Sequence, residues 1–160
     1  MIIRKTSPKD NQTLAKIIRK NLEEHHLDIA GTAYFDSNLD NLSEYYNQLN
    51  TNRVYYVILD DNENLLGGVG MEAFENIDNC VEMQKLYLSD EAKGQGLGVK
   101  LVQYIEEKAK EQGYSKMYLE SHSNLKAAIS LYKKMGYKQM DRPDFVVHTT
   151  VDMFFIKTSF

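Results

Sequence analysis

The sequence has few of the residues that cross-link small folds or build fibrous proteins. Its 160 residues include one cysteine, Cys80, two prolines and no tryptophan. A single cysteine excludes an internal disulfide and a cysteine-based zinc site, and it is consistent with a reducing compartment. With 42% hydrophobic residues the chain is neither disordered nor of low complexity, and it can bury one core. We therefore expect a single domain over residues 1–160.

Long apolar runs are also missing. No stretch approaches the roughly 18 apolar residues of a membrane span. Residues 1–20 alternate apolar with charged groups, whereas a signal peptide carries an apolar block. We expect a soluble, cytoplasmic protein that has no membrane partner.

The charge is unevenly distributed along the chain. The formal net charge is -4, which argues against a nucleic-acid partner because phosphate contacts require a basic face. Residues 93–138 nevertheless hold nine lysines and four acids, a balance of +5, so the remainder carries -9. This pattern indicates one segment that contacts an anion and a remainder that prefers cations. Solvated helix faces would explain the same charges.

Hydrophobic periodicity predicts a mixed α/β sheet in one layered domain. A helix begins at Ser7-Pro8 and carries the apolar stripe Leu14, Ile17, Ile18 and Leu22. A second, weaker helix is expected over Leu39–Leu49, and later helices carry the stripes Leu97–Ala109 and Leu125–Tyr132. The expected strands are Ile2–Lys5, Arg53–Leu59, Leu65–Phe74, Cys80–Leu88 and Met117–Glu120, with one or two closing strands within Val146–Lys157.

A glycine-rich loop, Lys93-Gly94-Gln95-Gly96-Leu97-Gly98, lies between a predicted strand and a predicted helix. Glycines allow the backbone to approach a ligand closely, and free N–H groups at a helix start favour phosphate. A plain flexible turn would give the same string. The dinucleotide fingerprint is not met, because its third glycine would have to stand at Val99 or Leu101, although Glu120 lies near the distance of its acidic residue.

The run from Glu82 to Lys138 resembles the GCN5-related N-acetyltransferases (GNAT family). It has a strand ending in Leu86-Tyr87-Leu88, spaced glycines that open a helix, and the ending Leu131-Tyr132-Lys133-Lys134-Met135-Gly136-Tyr137. Two positions depart from the family pattern. Lys93 stands where Arg or Gln is frequent, and Leu125 stands where an Asn is common, with Asn124 one position earlier.

The resemblance implies one N-acetyltransferase domain over residues 1–160, with a mostly antiparallel, twisted sheet flanked by helices on both faces. It also implies transfer from acetyl-CoA, as co-substrate, to a primary amine by direct attack in a ternary complex. Closing strands often form dimers in this family, so a homodimer is an open alternative to a monomer. The implied cofactor-binding residues are Leu86, Tyr87, Leu88, Lys93, Gly94, Gln95, Gly96, Leu97, Gly98, Val99, Asn124, Ala128 and Lys134.

Two catalytic residues are implied. An amine with a pKa near 10.4 is neutral in about one molecule in 2,500 at pH 7, so a general base is needed. Glu82 stands where some members of the family carry a base glutamate. It could also be a strand-edge residue beside solvent or Lys85, and Glu72 and Glu120 are alternative bases. Tyr132 resembles the general acid of the family, but its helical stripe would equally suit a core tyrosine.

Other chemistries receive less support. Cys80 should share a strand face with Glu82, which would permit an acyl-cysteine route, but no histidine stands near it in the sequence to activate it. The four histidines, His25, His26, His122 and His148, lack a metal-ligand spacing, so we expect no metal. A non-catalytic acyl-CoA-binding or interaction module remains the alternative to an enzyme.

Overall fold

The structure, a computed structural model, describes residues 1–146 and 150–160. Short 3-10 turns precede or link several helices, including Pro8–Asp10 before the first one. The helices are α1 (Asn11–Glu24), α2 (Leu42–Tyr46), α3 (Leu97–Glu111) and α4 (Lys126–Lys134). The strands are β1 (Ile2–Lys5), β2 (Arg53–Leu59), β3 (Leu65–Ala73), β4 (Cys80–Leu88), β5 (Lys116–Ser121), β6 (Lys138–Met140) and β7 (Met153–Lys157).

The described strands form one seven-stranded sheet in the order β1-β2-β3-β4-β5-β7-β6. Neighbouring strands run antiparallel except β4 and β5, which are parallel and are connected through α3. The expected fold class, a mixed and mostly antiparallel sheet in an α/β fold, is confirmed. No helix among the described residues is both long and apolar enough to cross a membrane.

Helices cover both faces of the sheet, as expected. On one face, α3 and α4 pack on alternate residues of the central strands and form a core that contains Ile58, Met83 and Leu101. On the other face, α1 and α2 form a second core that contains Leu14, Ile18 and Tyr55. The two cores explain why the central strands β2 and β3 read as almost continuous apolar runs.

Four elements differ from the sequence-based expectation. The helix expected from Ser7-Pro8 opens as the 3-10 turn Pro8–Asp10, and α1 begins at Asn11. The helix expected over Leu39–Leu49 is a 3-10 turn followed by the five-residue α2, which ends at Tyr46. The closing strand begins at Met153, and residues 147–149 of the expected stretch, His148 among them, lie outside the described residues. The short β6 was not predicted, because three residues are too few to show an alternating pattern.

Candidate active site

The parallel strands β4 and β5 separate in the middle of the sheet. They are paired only from Cys80–Lys116 to Glu82–Tyr118, and no pairing continues beyond Glu82. From Met83 onward, β4 therefore has a free edge on the side of β5. A cavity of about 650 Å³ opens there, lined by residues 82–88 of β4, by Glu120 and Ser121 of β5 and by α4.

A bulge in β4 lies at the point of separation. Lys85 has a positive φ of 49°, and the register with β3 shifts between Gly68 and Gly70. The extra residue changes the alternation of side chains along the strand. Val81 and Met83 pack on the α3 side before the bulge, and Leu86 and Leu88 do so after it. The bulge thus bends the free edge of β4 along the cavity.

The glycine-rich loop presents unpaired backbone amides. Within the described part of the chain, none of the N–H groups from Gly94 to Val99 donates a hydrogen bond. Gly94 and Gly96 have φ values of 77° and 74°, and a Cβ atom at either would meet nothing within 4 Å. Because α3 begins at Leu97, these amides lie at the positive end of its dipole. The loop therefore has the donors and the open space that a diphosphate requires.

Gly98 and the side chains of this loop have other roles. A Cβ atom at Gly98 would lie 3.0 Å from the Leu131 side chain, so this glycine permits close packing of α3 against α4. Leu97 is buried in the core below α3. Lys93 pairs with Asp90 at 3.0 Å, and the Gln95 amide donates to the Glu91 carbonyl oxygen. The unpaired donors that this loop offers are therefore backbone N–H groups.

Glu82 lines the cavity at the point where the pairing of β4 with β5 ends. Its side chain points to the α2 side of the sheet, where Oε1 accepts a 2.7 Å hydrogen bond from Gln84 Nε2. Burial, with smaller contributions from the carboxylates of Glu120 and Glu72, raises the pKa of Glu82 to about 7. A carboxyl group with that pKa can accept a proton at neutral pH.

Tyr132 reaches the same cavity from the opposite face of the sheet. It lies on α4, is 7% exposed, and its ring contacts those of Tyr137 and Phe155. Its hydroxyl makes no hydrogen bond with any described residue, and the side chain lines the cavity. Burial raises the pKa of Tyr132 well above its ordinary value, so the hydroxyl is protonated at neutral pH. Only the separation of β4 and β5 lets Glu82 and Tyr132 line one cavity.

The remaining cofactor-binding predictions fall both inside and outside the cavity. Leu86, Tyr87, Leu88 and Ala128 line it together with Gly94, Gly98 and Lys93. Asn124 is exposed, and its side-chain amide donates to the His25 carbonyl oxygen over 2.9 Å. Lys134 is exposed near the end of α4. The residues of the prediction that are not among the lining residues are Asn124, Lys134, Gln95, Gly96, Leu97 and Val99. The neighbour Leu125 lines the cavity in place of Asn124.

Several lining residues were not singled out from the sequence. The Gln84 side chain donates a hydrogen bond to Glu82, and Lys85 forms a 2.9 Å ion pair with Asp36, which also lines the cavity. The two-residue period of a strand would have placed Gln84 on the face of Glu82. The pairing of Lys85 with Asp36 depends on the bulge and on the loop after α1, and no local pattern predicts it.

Cys80 is a poor nucleophile in this setting. It is 3% exposed and packs with Tyr118 and Phe154 at the end of β4 away from the glycine-rich loop. Burial raises the pKa of the Cys80 thiol to about 11, which disfavours the thiolate. Across residues 1–146 and 150–160, no group of three or more His, Cys, Asp or Glu side chains is arranged to hold a metal ion.

Comparison with known proteins agrees with this geometry. A family model described as Acetyltransferase (GNAT) family matches residues 18–137. The protein named uncharacterized N-acetyltransferase YjgM of Escherichia coli K12 is 32% identical over 142 residues, which are 88% of this chain and 83% of that protein.

Solved structures share the fold. An acetyltransferase of the GNAT family from Staphylococcus aureus Mu50 superposes with a TM-score of 0.81 at 18% identity, covering 98% of this chain and 97% of the other. The PaiA N-acetyltransferase of Thermoplasma acidophilum, solved in complex with coenzyme A, gives 0.75 at 21% identity and covers 98% of both chains. Because the family model matches residues 18–137, which are most of this chain, the chain belongs to the GNAT family of acetyltransferases.

Proposed function

We propose that this protein transfers the acetyl group of acetyl-CoA to a primary amine by direct attack in a ternary complex. One observation carries the proposal: Glu82, Tyr132 and the glycine-rich loop, through Gly94 and Gly98 with their unpaired amides, line one cavity between β4 and β5. Acetyl-CoA would supply an activated acyl thioester. The chain itself would bind it, orient the amine and move two protons.

The phosphates would be held by backbone groups. The amides from Gln95 to Val99 would donate to the diphosphate, helped by the dipole of α3. The free edge of β4 at Leu86–Leu88 would pair with the amides of the pantetheine arm, as an added strand does. A backbone N–H in the same stretch would stabilise negative charge on the carbonyl oxygen during attack.

Glu82 would take the proton of the incoming amine. A primary alkylamine is almost entirely protonated at pH 7, and only its neutral form attacks. The raised pKa of Glu82, about 7, places its carboxyl group in the range where a general base works best at neutral pH. The proton would pass to Oε2, which accepts no hydrogen bond from the described residues.

Tyr132 would give a proton to the departing sulfur. Its hydroxyl is protonated, faces the cavity and has no protein partner among the described residues. Transfer from a phenol to a thiolate is uphill by the ordinary pKa values, so it requires close placement of the two groups. A phenol without another hydrogen-bond partner is free to take that position.

The acceptor end of the cavity favours a cation. Glu82, Glu120 and Asp36 line the cavity, and among the described residues only Asp36 of these three is paired with a lysine, Lys85. The chain outside residues 93–138 carries a formal net charge of -9. We infer that the acceptor is a small molecule or peptide that presents a positively charged primary amine.

An acceptor screen that follows CoA release tests the proposal. The panel should contain polyamines, aminoglycosides, amino-acid derivatives and peptides with free N-termini or lysines. We expect at least one amine to release free thiol above the hydrolysis rate of acetyl-CoA, and Tyr132→Phe to reduce that release. Tight binding of acetyl-CoA with no release for any amine would instead support a binding module.

A further inference from the structure

Gln84 connects the proposed base to a second carboxylate. Its Nε2 atom donates to Glu82 Oε1 over 2.7 Å and to Glu72 Oε2 over 3.3 Å. A primary amide nitrogen carries two hydrogens, so each carboxylate can receive one of them. Its Oε1 atom accepts a 2.6 Å hydrogen bond from the Tyr46 hydroxyl. Both the nitrogen and the oxygen of the Gln84 amide therefore have defined hydrogen-bond partners.

The surroundings fix which way the amide faces. If the amide were reversed, its oxygen would face two carboxylates and its nitrogen would face the Tyr46 hydroxyl. Tyr46 is 2% exposed and cannot move aside, because its ring packs against those of Tyr45 and Tyr55. Gly70 makes room for this contact, since a Cβ atom there would lie 3.0 Å from the Tyr46 hydroxyl oxygen.

Glu72 has partners of its own. The Tyr45 hydroxyl donates to its Oε2 over 2.8 Å, and Arg53 Nε lies 3.3 Å from its Oε1. Glu82 has only the hydrogen bond from Gln84 among the described residues, so that bond alone sets the direction of its carboxylate. With Oε1 held, Oε2 remains for a proton from the cavity.

We propose that Gln84 is a positioning residue, which holds Oε1 of Glu82 so that Oε2 faces the acceptor amine, and that Tyr46 fixes the orientation of the Gln84 amide. This inference rests on the proposed function for its consequence in catalysis. The arrangement of Gln84 around Glu82 can be tested without an acceptor.

Several charged groups act on Glu82 besides Gln84. Burial raises its pKa, and so do the charges of Glu120 on β5 and Glu72 on β3, while the Gln84 hydrogen bond and Lys85 lower it. Tyr118 and Cys80 are further titratable neighbours, and Tyr118 donates to Glu120. Loss of the Gln84 donor removes one of the two stabilising influences on the charged form.

The direct test is a titration of Glu82 in the full chain. The side-chain carboxyl carbons of glutamate are labelled with carbon-13, and the Glu82 signal is assigned from its absence in Glu82→Gln. Gln84→Met keeps the length and volume of the side chain and removes the donor. We expect the midpoint to rise by about one unit, which lowers the ionised fraction at pH 7 about fivefold.

The kinetic readout separates positioning from simple damage. In Gln84→Met, kcat at pH 7 should fall more than fivefold, with unchanged affinity for CoA. The part of the loss that comes from protonation of Glu82 should recover near pH 9, and the part that comes from the lost orientation of its carboxylate should persist at every pH. Recovery of the full wild-type kcat near pH 9, or an unchanged midpoint, would overturn the proposal. A shifted midpoint in a protein that acetylates no amine would refute the proposed function and leave the assignment of Gln84 intact.

A second variant covers failure of Gln84→Met to fold. Tyr46→Phe removes only the hydroxyl that orients the amide, and we expect a smaller upward shift of the Glu82 midpoint. Tyr56→Phe is the matched control, because Tyr56 lies on the α3 side of β2 and its hydroxyl makes no hydrogen bond with the described residues. Equal midpoints in Tyr46→Phe and Tyr56→Phe would overturn the role assigned to the chain from Tyr46 to Glu82.

Discussion

The Tyr55 hydroxyl donates a 2.7 Å hydrogen bond to the carbonyl oxygen of Lys85, the residue at the bulge of β4. Tyr55 is completely buried on the α1 side of β2, two strands away from the cavity. Gly68 and Gly70 on the intervening strand leave room for its ring. A core tyrosine thus fixes the backbone at the point where β4 leaves β5, and the position of the free edge depends on it.

Loss of that hydroxyl should loosen the edge of β4. For Tyr55→Phe we expect a fall of about 1 to 2 kcal/mol in the free energy of unfolding, because a buried carbonyl loses its partner. We also expect weaker binding of CoA, since Leu86–Leu88 follow the bulge directly. Urea denaturation and calorimetric titration with CoA measure the two effects.

The neighbouring residue provides the comparison. Tyr56→Phe on the same strand removes a hydroxyl from the α3 side, where it makes no hydrogen bond with the described residues. It should leave CoA affinity at the wild-type level. If both variants bind CoA as the wild type does, the bulge does not depend on Tyr55.

The sequence predicted most of the helices and strands around the cavity, but it did not predict the cavity itself. The amphipathic stripe of α3 and the apolar strands β2 to β4 gave their positions to within one or two residues, because each has a strong local period. The stripe of α1 was also recognised, but α1 begins three residues after the expected start at Pro8. The separation of β4 from β5 depends on Lys85 adopting a positive φ. Lysine carries no preference for that conformation, and the contact that holds it comes from Tyr55, thirty residues earlier.

Gly96 allows a direct test of the role proposed for the glycine-rich loop. Gly96→Ala forces a residue with a Cβ atom to keep a φ of 74°, which costs roughly 1 to 2 kcal/mol, although the Cβ atom itself would meet nothing within 4 Å. We expect CoA affinity to fall at least severalfold, because the strained loop no longer aims its amides. Equilibrium binding of CoA and thermal unfolding provide the two measurements.

Gly113, just beyond the other end of α3, is a matched control for this substitution. It has a φ of 91° and equally open space, so Gly113→Ala carries a similar strain far from the loop. The two variants should lose similar stability, and only Gly96→Ala should lose CoA affinity. Equal losses of affinity in both would show that general destabilisation, and not the loop, controls binding.

Tyr132→Phe separates proton donation from packing. The phenyl ring keeps the contacts with Tyr137 and Phe155, so we expect an unchanged melting temperature and unchanged CoA affinity. We expect kcat to fall by about 100-fold or more, the usual contribution of a general acid. Steady-state assays with an amine from the acceptor screen measure it. A loss of stability with full activity would assign Tyr132 to the core alone.

The sequence could not show which of two strand glutamates acts as the general base and which has only a structural role. Glu82 and Glu120 both stand on strands, and the sequence offers each as a base. The structure distinguishes them through their partners: Glu120 accepts from the Tyr118 hydroxyl over 2.8 Å, while Glu82 is held by a neutral amide. Each partner stands two residues from its glutamate on the same strand, so the sequence shows the spacing. It does not show that β4 and β5 bring both carboxyl groups to one cavity.

The raised pKa of Glu82 predicts how stability changes with pH. In the unfolded chain the group titrates near 4.5, and in the folded protein near 7. Between these values the folded state binds more protons, so the contribution of Glu82 to stability is present below pH 4.5 and is lost as the pH rises through 7. Glu82→Gln should therefore raise the free energy of unfolding at pH 8, by on the order of 1 to 3 kcal/mol, and change it little at pH 4.5.

Urea denaturation of the wild type and of Glu82→Gln at pH 4.5 and pH 8 measures this difference. The amide introduced by Glu82→Gln would keep an oxygen that accepts from the Gln84 side chain, so the hydrogen bond observed at 2.7 Å need not be lost. Glu44→Gln, at an exposed position on α2, controls for the removal of one negative charge. If Glu82→Gln lowers stability at pH 8, the carboxylate is stabilised in the fold and cannot hold a proton at neutral pH as the mechanism requires.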